Sequence, residues 1–139
     1  MRYIDTSVLI AYLVRETGSA AAEALMLSPG MPLAVSTWSE VELLSAVGIK
    51  LRTRQLTETV ANGVVDMYRR SIAPSLHLIA VNDADHRLAV ALLSGWRSSL
   101  RAGDSLHLAI AQARSATVYT LDRGMAAAGA ILGIAVVLL

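Results

Sequence analysis

The chain has 139 residues, 55% hydrophobic and 17% charged, which suffices for one buried core and is too apolar for general disorder. Twelve Lys and Arg against eleven Asp and Glu leave a formal charge of +1, so no global positive field announces a nucleic-acid binder. Cysteine is absent, which excludes a disulfide framework and thiolate-held zinc, and the absence of Phe leaves base stacking poorly supplied.

In chain order, Arg2-Tyr3-Ile4 predicts a short strand ending at Asp5-Thr6-Ser7, after which Val8 to Val14 reads as a buried helix running to Glu16. Gly18-Ser19 opens a second helical stretch, Ala20 to Leu27, closed by Ser28-Pro29-Gly30. Leu33-Ala34-Val35 is the next strand, ending in Ser36-Thr37, and a helix from Trp38 to about Lys50 follows. Thr57 suits the N-cap of a helix to about Ser71, with Glu58 in its first turn, Arg69 and Arg70 in its last, and Pro74 stopping it. Leu76 to Val81 predicts a third strand, and Asn82-Asp83 starts a helix that runs through Leu93 and ends at Gly95. Gly103-Asp104 begins a helix whose Leu106, Ala109, Ile110 and Ala113 share one buried stripe. Thr117 to Leu121 is a fourth strand, a short helix follows Asp122, and Ile134 to Leu138 is a fifth strand. Strands alternating with helices predict an α/β fold, one three-layer domain over residues 1–139 with a mostly parallel sheet of about five strands.

The apolar run Met125 to Leu139 falls short of the ~20 residues needed to cross a bilayer, and Gly129 and Gly133 interrupt it. At the other end Asp5 breaks the apolar start and no small-residue cleavage site follows, so neither a signal peptide nor a membrane partner is expected. A reducing cytoplasm is the economical location for a chain without cysteine.

In open parallel sheets ligands bind at the carboxyl ends of the strands, so acids just after strands carry most weight. Asp5 and Asp122 are of that kind; Asp104 starts a helix, and Glu40 and Glu42 lie on the helix after the second strand. Each aspartate also suits a plain helix cap. Yet Asp5 and Asp104 border strongly apolar runs, where a charge is costly unless it is paired or bound to metal. If several carboxylates converge without Lys or Arg among them, a cation must offset their repulsion, and hard oxygen donors favour Mg²⁺ or Mn²⁺ over zinc or copper. Such a site suits a nuclease or a phosphatase. Glu40 and Glu42 point about 200° apart, and apolar residues surround that helix, so periodicity does not choose between them.

His77, His86 and His107 lie in settings too different to form an acid–base pair on one phosphate. His107 follows Asp104 by three residues on one helix side, which suits a packed, hydrogen-bonded histidine and, secondarily, support of the site. Lys50, Arg52 and Arg54 form a basic run readable as a solvated surface; Arg97 and Arg101, just before Asp104, are candidate phosphate contacts. There is no Gly-Lys-Ser/Thr, G-x-S-x-G or G-x-G-x-x-G, and no lysine after a late strand as a receiver-like module requires.

Four segments together resemble the PIN-domain family and, more narrowly, bacterial VapC toxins. They are MRYIDTSVLIAYL (Met1 to Leu13), STWSEVELLSA (Ser36 to Ala46), RAGDSLHLAIA (Arg101 to Ala111), and Thr120-Leu121-Asp122 with the Ala-rich turn after it. The similarity spans nearly the whole chain in the family's order, and RAGDSLHLAIA is its most specific part. It implies a catalytic set of Asp5, Glu42, Asp104 and Asp122, with Asp5, Asp104 and Asp122 as metal ligands and Thr120 as hydroxyl neighbour of the last acid; Thr6, Arg97, Arg101 and Thr120 are the candidate substrate contacts beside that set. It further implies Mg²⁺- or Mn²⁺-dependent hydrolysis of RNA by metal-activated water, leaving 5′-phosphate and 3′-hydroxyl ends, and silencing by a small VapB-like antitoxin. A PIN-like scaffold that binds RNA or protein without cutting, and a housekeeping PIN nuclease, are the competing expectations. A mean hydropathy of +0.54 is hard for a monomer of this size to hide, so a homodimer is expected.

Overall fold

The computed structural model describes all 139 residues. Five short strands, β1 (Arg2–Ile4), β2 (Leu33–Ser36), β3 (His77–Ile79), β4 (Thr117–Thr120) and β5 (Val136–Leu138), form one sheet in the order β3-β2-β1-β4-β5. All four pairings are parallel, with Tyr3 opposite Ala34 on one side and Val118 on the other. Parallel neighbours need crossover connections, and helices supply each of them: α1 (Thr6–Leu13) and α2 (Ser19–Met26), α3 (Thr37–Arg52) and α4 (Glu58–Met67), α5 (Asp83–Ser94) and α6 (Ala102–Gln112), and α7 (Arg123–Leu132).

Strand periodicity divides the core in two. Tyr3, Ala34 and Val118 face one side, where they pack with Ala89 of α5, with Leu106, Ala109 and Ile110 of α6, and with Met125 and Ala128 of α7. Ile4, Leu33 and Val35 face the other, against Val8 and Leu9 of α1, Leu25 of α2, Leu43 and Val47 of α3, and Ala61 and Val64 of α4. The fold is therefore a three-layer α/β/α sandwich, as the alternation of elements predicts.

The helix succession reverses sides between β1 and β4. After β1 the chain crosses to the face of α1 to α4, whereas after β4 it crosses to the face of α7. This switch point opens a crevice at the carboxyl edge, where open α/β sheets bind ligands. Asp5 and Asp122 are the first residues past Ile4 and the second past Thr120, one on each side of it.

Boundaries differ from the sequence expectation where local bonds override periodicity. α1 begins at Thr6 rather than Val8, because Asp5 caps it, and it stops at Leu13. The helix expected to run to Ser71 stays α-helical only to Met67, loosens into a π-type turn over Tyr68–Ile72 and tightens into a 3₁₀ turn over Ala73–Ser75, where Pro74 offers no N–H. The helix after Asp122 is not short: it has ten residues. Its last turn closes through Ile134 N–H to Gly129 O, which delays β5 to Val136. No helix is long and apolar enough to cross a membrane.

Candidate active site

A pocket of about 360 Å³ lies at the switch point, lined by Asp5, Thr6, Ser7, Ile10, Glu16, Glu42, Ala46, Asp104, His107, Asp122 and Met125. The four acids singled out from the sequence thus share one pocket, delivered by the end of β1, by α3, by the first turn of α6 and by the N-cap of α7. None of the eleven lining residues is Lys or Arg.

The capping and site readings of the aspartates are not exclusive. Asp5 Oδ1 accepts the Val8 N–H (3.3 Å) at the start of α1, and Asp122 Oδ1 accepts the Met125 N–H (3.0 Å) at the start of α7. Asp104 Oδ2 accepts the Arg101 N–H (3.3 Å) in the first turn of α6. A cap lies at the N-terminus of a helix, and at this edge the helix N-termini follow the strands, so one placement serves both ends.

Asp5 is the most tightly held. Its Oδ1 accepts the Ser7 hydroxyl (2.6 Å) and its Oδ2 the Thr120 hydroxyl (2.9 Å). Ser7 Oγ also receives the Leu121 N–H (2.9 Å), and Thr120 Oγ1 receives the Asp122 N–H (2.8 Å), so β1 and β4 are stitched together across the crevice. Thr120 is fully buried and outside the pocket lining, and its hydroxyl, engaged on both sides, braces Asp5 against the start of α7. Burial pushes the Asp5 carboxyl above the usual aspartate range, against the pull of Ser7, the nearby His107 and Thr120.

Glu42 and Glu40 separate as helix geometry requires. Glu42 points into the pocket, while Glu40 lies outside it, pairing with Arg69 Nε at 2.8 Å. Burial alone would raise the Glu42 pKa, but hydrogen bonding to His107, the nearby His107 charge and the Thr6 hydroxyl lower it on balance. Its Oε2 accepts both Thr6 Oγ1–H (2.6 Å) and the His107 Nε2 proton (2.5 Å). The indole N–H of Trp38, four residues earlier on α3, is buried near Glu42 without a hydrogen-bond partner. Oε1 lies over Gly103, where a Cβ would overlap it. Asp104 shows the opposite balance: burial raises its pKa, and the charges of Asp122 and Glu42 raise it further.

No three of the His, Asp and Glu side chains stand close enough to enclose one ion as positioned. Each aspartate is drawn to its own cap, so the acids face a pocket and do not meet at a point. Thr6 lines the pocket. The two arginines expected near phosphate do not line it: Arg101 is exposed at the start of α6, and Arg97 donates to Ile131 O (3.4 Å), near the far end of α7 from Asp122. A ten-residue helix spans about 15 Å, which removes Arg97 from the acids. Of the other histidines, His77 is exposed on edge strand β3 and His86 bonds Asn82 O, so no imidazole pair forms.

The sequence reading missed Glu16, a fifth carboxylate at the pocket, and its partner Lys50, whose Nζ lies 2.5 Å from Glu16 Oε2. Glu16 sits in the loop after α1 and Lys50 on α3, 34 residues on, a separation that no local pattern records.

A parallel α/β sandwich with five carboxylates lining the crevice at its switch point defines an acid-lined α/β protein. The chain belongs to the PIN-domain family, whose PIN domain profile matches residues 2–131. Among solved structures it is similar to FitAcB from Neisseria gonorrhoeae, with 20% identity, a TM-score of 0.77 and coverage of 98% of this chain and 96% of that one. VapC20 from Mycobacterium tuberculosis, described as a sarcin-ricin loop cleaving toxin, is 16% identical with a TM-score of 0.74, over 93% of this chain and 95% of that one. VapBC2 from Rickettsia felis, described as bound to a DNA fragment from its promoter, is 17% identical with a TM-score of 0.71, over 100% of this chain and 99% of that one. No curated protein sequence matches significantly.

Proposed function

We propose that this chain is a Mg²⁺- or Mn²⁺-dependent endoribonuclease and the toxin of a VapBC-like toxin–antitoxin pair. The observation that carries the reading is the delivery of Asp5, Glu42, Asp104 and Asp122 by four separate elements to one pocket. The donor set suits a hard divalent cation. All four acids are oxygen donors, no Lys or Arg lines the pocket, and burial, with the charges of Asp122 and Glu42, raises the Asp104 pKa. Asp5, Asp104 and Asp122 would hold the ion only after drawing closer together than they stand here, with Glu42 beside them. When bound, such an ion offsets the charge of the scissile phosphate and lowers the pKa of a water. The chain's own residues orient the site: Ser7 and Thr120 fix Asp5, Thr6 fixes Glu42, and the N-terminus of α6 presents Asp104.

The toxin assignment draws on the similarity to solved toxin–antitoxin structures, which include FitAB bound to DNA and VapBC-1 from Haemophilus influenzae. A second cavity, of about 530 Å³, offers an antitoxin helix an apolar seat on Tyr12, Leu13, Ala20, Met67 and Ile72. The cavity is lined from α1 and α2 and by Met67 and Ile72, with no residue of α3. An arginine on an extended part of the partner could then take the cation's place among the acids. We place the protein in the cytoplasm, where its RNA is.

The deciding experiment incubates purified full-length protein with total and defined RNA in Mg²⁺, Mn²⁺ or EDTA, beside Asp104→Asn. Cleavage by the wild type with metal, its loss in EDTA and its absence in the variant are expected. Equal cleavage by a folded Asp104→Asn protein would reject the assignment. Growth arrest on expression, rescued by a small adjacent open reading frame whose product co-purifies, tests the toxin part separately.

A further inference from the structure

Of Asp5, Glu42, Asp104 and Asp122, only Glu42 caps no helix, so something other than a helix end must hold its carboxylate. Its Oε2 receives a proton from Thr6 and lies 2.5 Å from His107 Nε2. On the opposite edge of the ring, Nδ1 lies 2.6 Å from the Tyr3 hydroxyl, which is itself 2.9 Å from Ser36 Oγ. His107, Tyr3 and Ser36 are each no more than 1% exposed, so this row of polar groups runs from the pocket wall into the core.

Buried polar rows are costly unless every member is satisfied, and here each member is. An ionised carboxylate has no proton to give, so the proton on the short Glu42 contact sits on His107 Nε2. Both ring nitrogens are thereby engaged, one by Glu42 and one by Tyr3, and the ring cannot rotate without breaking both bonds. Tyr3 is anchored in turn: its ring tilts against the imidazole at 5.6 Å, and its burial keeps the phenol protonated well above neutral pH.

We propose that His107, backed by Tyr3, is a positioning residue that fixes the direction of the Glu42 carboxylate, leaving Oε1 over Gly103 as the oxygen free to act in the pocket. The inference rests on the nuclease reading for its kinetic consequence, but the hydrogen bond itself does not. α6 then serves two acids at once: Asp104 in its first turn and, one turn on, the imidazole that sets Glu42. Thr6 performs the same service from α1, so Glu42 is gripped from three helices counting its own.

The test uses the full-length protein and two amides that reach differently. Gln at 107 can place its N–H near Nε2 and keep the bond to Glu42, whereas Asn can place its own only near Nδ1. His107→Asn should lower kcat on a defined RNA roughly ten- to a hundredfold, as loss of a supporting hydrogen bond at such sites does. KM should change little, and His107→Gln should recover most of the loss. In a Glu42→Gln background His107→Asn should cost nothing further. Independently of activity, ¹H–¹⁵N spectra of the labelled imidazole should show a protected, downfield Nε2 proton that moves upfield in Glu42→Gln and shifts in Tyr3→Phe. Equal losses in the Gln and Asn variants that track Tm, or losses that multiply in the Glu42→Gln background, would overturn the proposal. If the wild type cuts no RNA the nuclease reading falls, and an Nε2 proton indifferent to Glu42→Gln would reject the positioning role regardless.

Discussion

Gly103 lies in the first turn of α6, and a Cβ built on it would overlap Glu42 Oε1, with the Trp38 indole 3.6 Å away. A backbone without a side chain is what lets the carboxylate approach the helix end. Gly103→Ala should leave the fold intact, since alanine favours a helix, but displace Glu42; we expect a kcat loss of up to about a hundredfold, the size a misplaced group can cost, at nearly unchanged Tm, measured beside circular dichroism. Asp5 and Asp104 both have folded pKa values raised above those of the unfolded chain. Their contribution to stability is therefore complete below the unfolded aspartate pKa and is lost as pH rises through the folded values. At neutral pH without metal these two acids strain the fold, so Asp104→Asn should raise Tm in EDTA while abolishing cleavage. A lower Tm for that variant in EDTA, read by calorimetry, would contradict the electrostatic account. Added Mg²⁺ should raise the wild-type Tm and leave the variant nearly unmoved.

At the scale of elements, the helical layer beneath the site is locked by Asp85 of α5 and Arg114, just past α6. The guanidinium forks onto Asp85 at 2.7 and 3.0 Å and also donates to Ile110 O at 2.9 Å, while the Asp85 side chain is only 2% exposed. Arg114 beside it lowers the Asp85 pKa, with smaller help from the Asn82 N–H in a capping box. A lowered carboxylate stabilises above the unfolded pKa and ceases to do so as pH falls through the folded value, so this lock fails only in acid. Asp85→Ala leaves a partly buried cation unpaired and should cost roughly 3 kcal/mol in chemical denaturation. Asn82 to Asp85 is readable in the sequence as a helix start, whereas Arg114 as its distant partner is not, because the pairing depends on how α5 and α6 cross.

For the whole molecule the open question is what covers the apolar surface. Val41, Leu44 and Leu51 of α3 are between 37% and 53% exposed, on one side of the helix, a face that a monomer leaves in water. We expect a twofold dimer, and sedimentation at micromolar concentration that returns only monomer in both apo and metal-bound protein would remove that expectation. Co-purification with a partner whose helix fills the Tyr12 and Met67 cavity should protect α1 and α2 from amide exchange and leave β4 unaffected.

The sequence by itself determined the alternation of elements, the parallel sheet and the position of each aspartate, because caps and strand ends are local events governed by neighbouring residues. It carried the family likeness too, through the segments around Asp5, Asp104 and Asp122. It left Glu42 and Glu40 unresolved by periodicity, since α3 is apolar on nearly every side; the structure turns Glu42 inward because Thr6, His107 and a bare Gly103 receive it there. Arg97 precedes Asp104 by only seven residues yet lies by the far end of α7, whereas Glu16 and Lys50 meet at the pocket from 34 residues apart. Nearness in sequence governs caps and turns, but the membership of a pocket depends on which helix faces turn together, and that is decided only when both sides of the sheet are packed.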